Sequence, residues 1–109
     1  MNLPKYIKIG GSRYTVVPRD SEWRDEYGVD GLVRPDGLEI SIVTEDRPPT
    51  EVANTFIHEL LHVCYSEWQI SSHWHEERTV TALGYALSAI FAQNPEVMRY
   101  IEYMLGDPE

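Results

Sequence analysis

His58, Glu59 and His62 stand in the order His-Glu-x-x-His within the stretch "FIHELLHVCYSEW". These residue types at this spacing suit metal-assisted hydrolysis. On a helix, residues four apart lie about 40° apart around the axis, so the two imidazoles sit one above the other and can turn ring nitrogens to one ion. A carboxylate one step on from the first histidine lies too far round to share the metal easily, but it can reach a water beside it and act as a general base. The ion that such a set suits is a single Zn2+, with His58 and His62 as metal ligands and Glu59 as the catalytic base. The plainer alternative is that this is the ordinary wet face of a helix. Two histidines fall one short of the three protein ligands of a catalytic zinc site, so a further ligand must come from elsewhere in the chain.

The helix that carries the motif is predicted from Thr50, as N-cap with Glu51 in the favourable first turn, to about Trp68. Val52, Ala53, Phe56, Ile57, Leu60, Leu61 and Cys64 would cover its apolar face. Glu51, Thr55, His58, His62 and Tyr65 would lie on the other, which keeps the histidines out of core packing. Cys64 is then a packing residue rather than a ligand. A second helix is expected from about His75 to Ala92, with Val80, Leu83, Leu87 and Ile90 as its apolar stripe. A third is expected from Asn94-Pro95, an N-cap followed by proline at the first helical position, to Gly106 as C-terminal cap.

The first half of the chain reads as strands. "YIKIGGSRYTVV" has two alternating runs joined at Gly10-Gly11, and "GLVRPDGLEISIV" repeats the form around the turn Pro35-Asp36-Gly37. The polar stretch "RDSEWRDEYGVDG" between them reads as loop. Strands followed by helices predict an α+β fold: a small antiparallel sheet over residues 1–48, then about three helices over 49–109, all in one domain of 109 residues.

The missing ligand must lie among His73, His75, Glu76 and Glu77. The extended form with a third histidine six residues after His62 is excluded, because position 68 is Trp. Periodicity leaves Glu76 and Glu77 nearly tied at the head of the second helix. Below Glu77 run Thr81, Gly84 and Ser88, small residues that would let this helix approach the first closely. Whichever glutamate is not the ligand is a favourable acidic residue at a helix N-terminus, or a hydrogen-bond partner of a metal-binding histidine.

Composition narrows the partners. Net charge is −9, and residues 51–109 hold only Arg78 and Arg99 against nine Asp/Glu. Such a surface repels nucleic-acid backbones and anionic membranes, so neither is an expected partner, and a divalent cation would offset part of the charge. The single cysteine and the lack of a long apolar run predict a cytoplasmic protein without a membrane span.

Several stretches together resemble the small phage and prophage metallopeptidases of gluzincin type, relatives of the ImmA/IrrE family. These are "IKIGGSRYTV", "LEISIV", "TFIHELLHV" and "EERTVTALGYALSAIFAQNPE", and the resemblance spans nearly the whole chain. It implies a minimal zincin-like fold, a cytoplasmic location in the host cell, and a glutamate at the head of the helix after the motif as third zinc ligand. In such proteins that glutamate is followed by apolar residues at +3 and +6 and a small one at +7. Glu77 meets this with Val80, Leu83 and Gly84 better than Glu76 does, so the resemblance selects Glu77 with Glu76 as runner-up. The His73-Trp74-His75 insert is a departure from the family pattern.

The reaction implied is hydrolysis of a peptide bond in a peptide or protein substrate, with Glu59 moving the proton from water to the leaving amine. Tyr65, Tyr85 and His73 are candidate oxyanion stabilisers. By resemblance, the strand of Leu38, Glu39, Ile40, Ser41 and Ile42 would be the sheet edge that pairs with an extended substrate. The competing class is a non-enzymatic regulatory or protein-binding module with a structural zinc, closed by a fourth protein ligand such as His73 or His75. Peptide deformylase-like chemistry also uses the motif, but its Gly-rich and Cys-bearing signatures are missing.

Overall fold

Alternating runs on either side of a tight turn dictate the first contacts. The structure, a computed structural model, describes residues 2–9, 11–70 and 75–106. β1 (Tyr6–Ile9) and β2 (Ser12–Arg19) form the expected antiparallel hairpin, paired from Ile9↔Ser12 to Tyr6↔Thr15. β3 (Gly31–Arg34) and β4 (Glu39–Val43) form the second. The Gly37 N–H donates to Arg34 O at 3.2 Å, which places Pro35 second and Gly37 fourth in the turn. Leu38 completes the loop with φ of 50°.

The hairpins do not join as a simple antiparallel meander. The sheet order is β1-β2-β4-β3, and β2 and β4 run parallel. The sheet is therefore mixed, a correction to the expected antiparallel one. The cause lies between the hairpins, where α1 (Ser21–Tyr27) replaces the expected loop. Asp20 caps it by accepting from the Trp23 N–H at 2.9 Å, and Gly28 ends it in the left-handed region at φ 70°. Trp23 is buried, and α1 lies against β4. With α1 filling this corner, the second hairpin returns with its more apolar strand inward. Ile40, Ile42 and Val43 are fully buried and Ser41 nearly so. Such burial on both faces is what a central strand requires.

β4 is consequently not the free edge. The Thr15 N–H donates to Leu38 O on one side, and the Val43 N–H donates to Asp30 O on the other. The expectation that Leu38, Glu39, Ile40, Ser41 and Ile42 offer a docking edge is overturned, and β3 takes that place beside β4. Its register tells which backbone groups are free. Asp30 and Val43 are opposite and bonded, one step before Gly31↔Ile42. Bonded and open pairs alternate along an antiparallel ladder, so Leu32 and Arg34 bond inward to β4. The N–H and C=O of Gly31 and Val33 therefore point outward.

α2 (Pro49–Glu67) lies across the sheet. It begins at the Pro48-Pro49 pair, so Thr50 sits inside the first turn rather than at the cap. Val52, Phe56, Leu60 and the fully buried Val63 pack against Tyr14, Val16, Ile40 and Ile42. At its C-terminal end Glu67 accepts from Ser12 Oγ and Tyr14 Oη, each at 3.0 Å. Burial, and then this carboxylate, hold the Tyr14 hydroxyl above its ordinary pKa. The buried face is thus centred on Val63 rather than on Cys64, which is half-buried. α3 (Glu76–Gln93) packs beside α2, and α4 (Pro95–Leu105) leans on α3. The Asn94 side chain donates back to Ile90 O at 3.1 Å, closing α3 as α4 begins. No helix among the described residues is long and apolar enough to cross a membrane.

Val63→Ala is expected to cost about 2 kcal/mol through the cavity it leaves. Cys64→Ala is expected to cost less than half as much. Urea denaturation of both variants checks this, and equal losses would contradict the observed placement of the helix face.

Candidate metal centre

Helical spacing sends the three motif residues of α2 in two directions. His58 and His62 face α3, while Glu59, about 100° from His58 around the axis, turns toward the sheet and the start of β3. α3 meets the histidines through a narrow face. Val80 and Gly84 are its buried residues, and a Cβ on Gly84 would stand 3.9 Å from the Cα of His58. The expected role of small residues on this face holds at Gly84, and the Ser88 hydroxyl folds back onto Gly84 O at 2.8 Å. Leu83 and Ile90, expected in the apolar stripe, are instead exposed.

This packing brings the head of α3 onto the two rings. Glu77 reaches both: Oε1 lies 3.0 Å from His58 Nε2, and Oε2 lies 2.9 Å from His62 Nε2. Glu76 takes the other side of the same ring, with Oε2 2.7 Å from His62 Nδ1. The two glutamates that periodicity left tied thus occupy different positions. Glu77 stands with the Nε2 atoms, and Glu76 orients the His62 ring, leaving Nε2 as the atom that can face an ion.

The residue types and their proximity could hold a metal ion. Ligand atoms of His58, His62 and Glu77 lie within 4.8 Å of one another. A tetrahedral zinc with bonds of about 2.0–2.1 Å separates its ligand atoms by about 3.3 Å. The carboxylate–imidazole distances of 3.0 and 2.9 Å run to two different oxygens, Oε1 and Oε2, and are direct hydrogen-bond contacts that a bound ion would replace. Two imidazole nitrogens and one carboxylate oxygen also suit this ion's ligand preference. His75 is the exposed N-cap residue of α3 and makes no side-chain cap bond. It is not a member of the gathered group. His73 lies outside the described residues.

Glu59 is held differently. It is only 7% exposed, and among the described residues no hydrogen bond holds its carboxylate. Burial pushes its pKa from 4.5 up to about 7; the nearby His62 opposes this rise and Glu77 adds to it. A carboxylate poised near neutrality is suited to accept and release a proton at physiological pH. It borders a cleft of about 1050 Å³ between β3, α2 and α3, whose walls include Gly31, Val33, Tyr65, Tyr85 and Arg47. Tyr65 and Tyr85 thus both reach the site's cleft, from different helices.

Arg47 belongs to no motif of the sequence, yet it is buried against the site. Its side chain is 6% exposed. It donates to Val43 O and to Thr55 Oγ1, each at 2.9 Å, tying the end of β4 to the turn of α2 before the motif. The sequence signal was the spacing of Arg47, Glu51 and Thr55 at four and eight residues, which puts all three on one side of the helix start.

The purified protein is expected to carry one zinc per chain. Glu77→Ala should lower zinc affinity far more than Glu76→Ala, whose loss should be about 10–100-fold. Competitive chelator titrations measure both, and equal affinities in the two variants would reject the assignment. A second expectation concerns pH. Folded Glu59 keeps its proton up to about pH 7, while the unfolded group loses it near 4.5. The native state therefore loses stability as pH rises between these values. In metal-free protein, Glu59→Gln should gain stability over wild type by on the order of 2–3 kcal/mol between pH 4.5 and pH 8. Denaturation curves in chelator at the two pH values read this out, and a pH-independent difference would refute it.

Comparison of the chain with protein-family models, with curated proteins and with solved structures found no significant match.

Proposed function

We propose that the protein is a zinc-dependent peptidase of the gluzincin type, akin to the ImmA/IrrE family it resembles. The observation that carries this reading is the pairing of two features on one helix. His58 and His62 gather with Glu77 as a three-membered donor set, and a buried carboxylate, without a hydrogen bond among the described residues, stands beside them at the cleft. Three protein ligands leave a position open for chemistry, whereas a structural zinc is closed by four. Among the described residues the group has three members, and His75, one candidate for a fourth ligand, is not one of them.

Zinc in this set would polarise a peptide carbonyl and make water acidic enough to lose a proton near neutral pH. Glu59 accepts that proton and delivers it to the leaving amine, a task that its pKa of about 7 suits. Glu76 keeps the His62 ring in the orientation the donor set needs. Tyr65 or Tyr85 supplies a donor to the developing oxyanion. An extended peptide is bound by adding a strand to β3, bonding the outward N–H and C=O of Gly31 and Val33, with its side chains alternating between cleft and solvent. The acidic helical half makes a nucleic-acid substrate a poor fit.

Glu59→Gln is expected to retain zinc at wild-type stoichiometry and to lose cleavage by at least about 10²-fold. Mass spectrometry of a peptide library and of trapped cellular proteins provides the assay. Zinc-loaded wild type that cleaves neither, or a Glu59→Gln variant that cleaves as wild type does, would reject the peptidase.

A further inference from the structure

Gly31 opens β3, where glycine weakens a strand and contributes no side-chain packing. Its backbone does not call for glycine. The glycine with a left-handed φ among the described residues is Gly28, whereas Gly31 is an ordinary strand residue paired with Ile42. What position 31 lacks is space. A Cβ there would lie 2.9 Å from Glu59 Cγ, 3.0 Å from Glu59 Oε2 and 3.0 Å from Thr55 Cγ2. Non-bonded carbons sit comfortably at about 3.5–4.0 Å, so even one methyl group would collide on three sides. Thr55 cannot yield easily. Its side chain is β-branched, and its hydroxyl is bonded to Arg47, which is itself tied to Val43 O. Glu59 can yield, because among the described residues no hydrogen bond holds its carboxylate.

The same residue faces the free edge. The N–H and C=O of Gly31 point away from β4, as the alternation along the ladder requires. One backbone position therefore touches the Glu59 carboxylate on one side and offers peptide-bonding groups on the other. We propose that Gly31 is a positioning residue: the missing side chain lets β3 approach α2 until the Glu59 carboxylate is wedged beside the edge groups that would bind an extended peptide. Gly31 thereby sets the separation between base and bound backbone. The catalytic consequence rests on the peptidase reading above, while the contact itself does not.

The test is a variant cycle in the full zinc-loaded chain. Gly31→Ala should keep zinc stoichiometry and affinity, lower kcat about 10²-fold through displacement of the base, and change KM little. It should also lower Tm by several degrees. In a Glu59→Ala background that Tm loss should fall by at least half, because the Cγ and carboxylate that the new methyl meets are gone. In a Thr55→Ser background, which removes the unyielding Cγ2, it should fall at least as much. If Gly31→Ala does not fold alone, recovery of folded protein in the Gly31→Ala/Glu59→Ala double variant supports the same contact, and failure of both overturns it. Equal Tm losses with and without the Glu59 side chain would overturn the proposal, as would wild-type kcat in Gly31→Ala despite the coupling. A wild type that cleaves nothing while the Tm coupling persists would remove the peptidase reading and leave Gly31 as the residue that places the Glu59 carboxylate.

Discussion

Everything at this site depends on one helix having to satisfy two neighbours at once. α2 is pinned to the sheet by Val52, Phe56, Leu60 and Val63 over Tyr14, Val16, Ile40 and Ile42. Glu67 anchors its far end to Ser12 and Tyr14, and Arg47 anchors its near end to β4. With the helix rotation set in this way, the 100° step from His58 to Glu59 becomes a division of labour. The imidazoles face α3 and its glutamates. The carboxylate is driven toward the sheet, where it loses water. Rotating the helix to expose Glu59 would draw Val63 out of the core, so the apolar packing opposes relief of the buried acid.

The electrostatics follow from that division. Two carboxylates, of Glu76 and Glu77, converge on two imidazoles in the half of the chain that is poorest in basic residues, and a third, of Glu59, stands near them. Glu77 is largely exposed and Glu76 partly so, and each is balanced by a ring nitrogen. Glu59 has no hydrogen bond among the described residues, and its burial is what raises its pKa. A divalent cation at the Nε2 atoms would act most directly on Glu77 and would also lessen the repulsion between Glu77 and Glu59. A cluster with this balance of charge could accept a divalent cation.

Much of the fold was legible because local physics dominates in this chain. Alternation and tight-turn residues marked both hairpins, and Pro35 and Gly37 occupy the predicted turn positions. The helices after residue 48 begin and end within about two residues of their expected bounds, since proline and the Asn94-Pro95 pair leave little freedom there. α1 was missed, although Asp20 and Gly28 are capping residues seven residues of helix apart, because so short a segment has little periodicity to read. The strand order was missed for a different reason. Sequential neighbours usually pair, and nothing in "LEISIV" by itself tells a central strand from an edge.

The sequence alone determined the motif, the helix that carries it and the region whose carboxylate gathers with the two histidines, because each follows from spacing along a single element. Periodicity did not separate Glu76 from Glu77, and only the family resemblance favoured Glu77: two adjacent residues at a helix start differ only by 100° of rotation, and which of them meets the Nε2 atoms depends on how α3 lies against α2. Nor did the sequence show that Glu59 is buried, that Arg47 locks the helix entry, that β3 rather than β4 is the free edge, or that Gly31 has no room for a methyl group. These are relations between segments distant in the chain. Only tertiary packing sets the distances across which burial, charge and steric exclusion act.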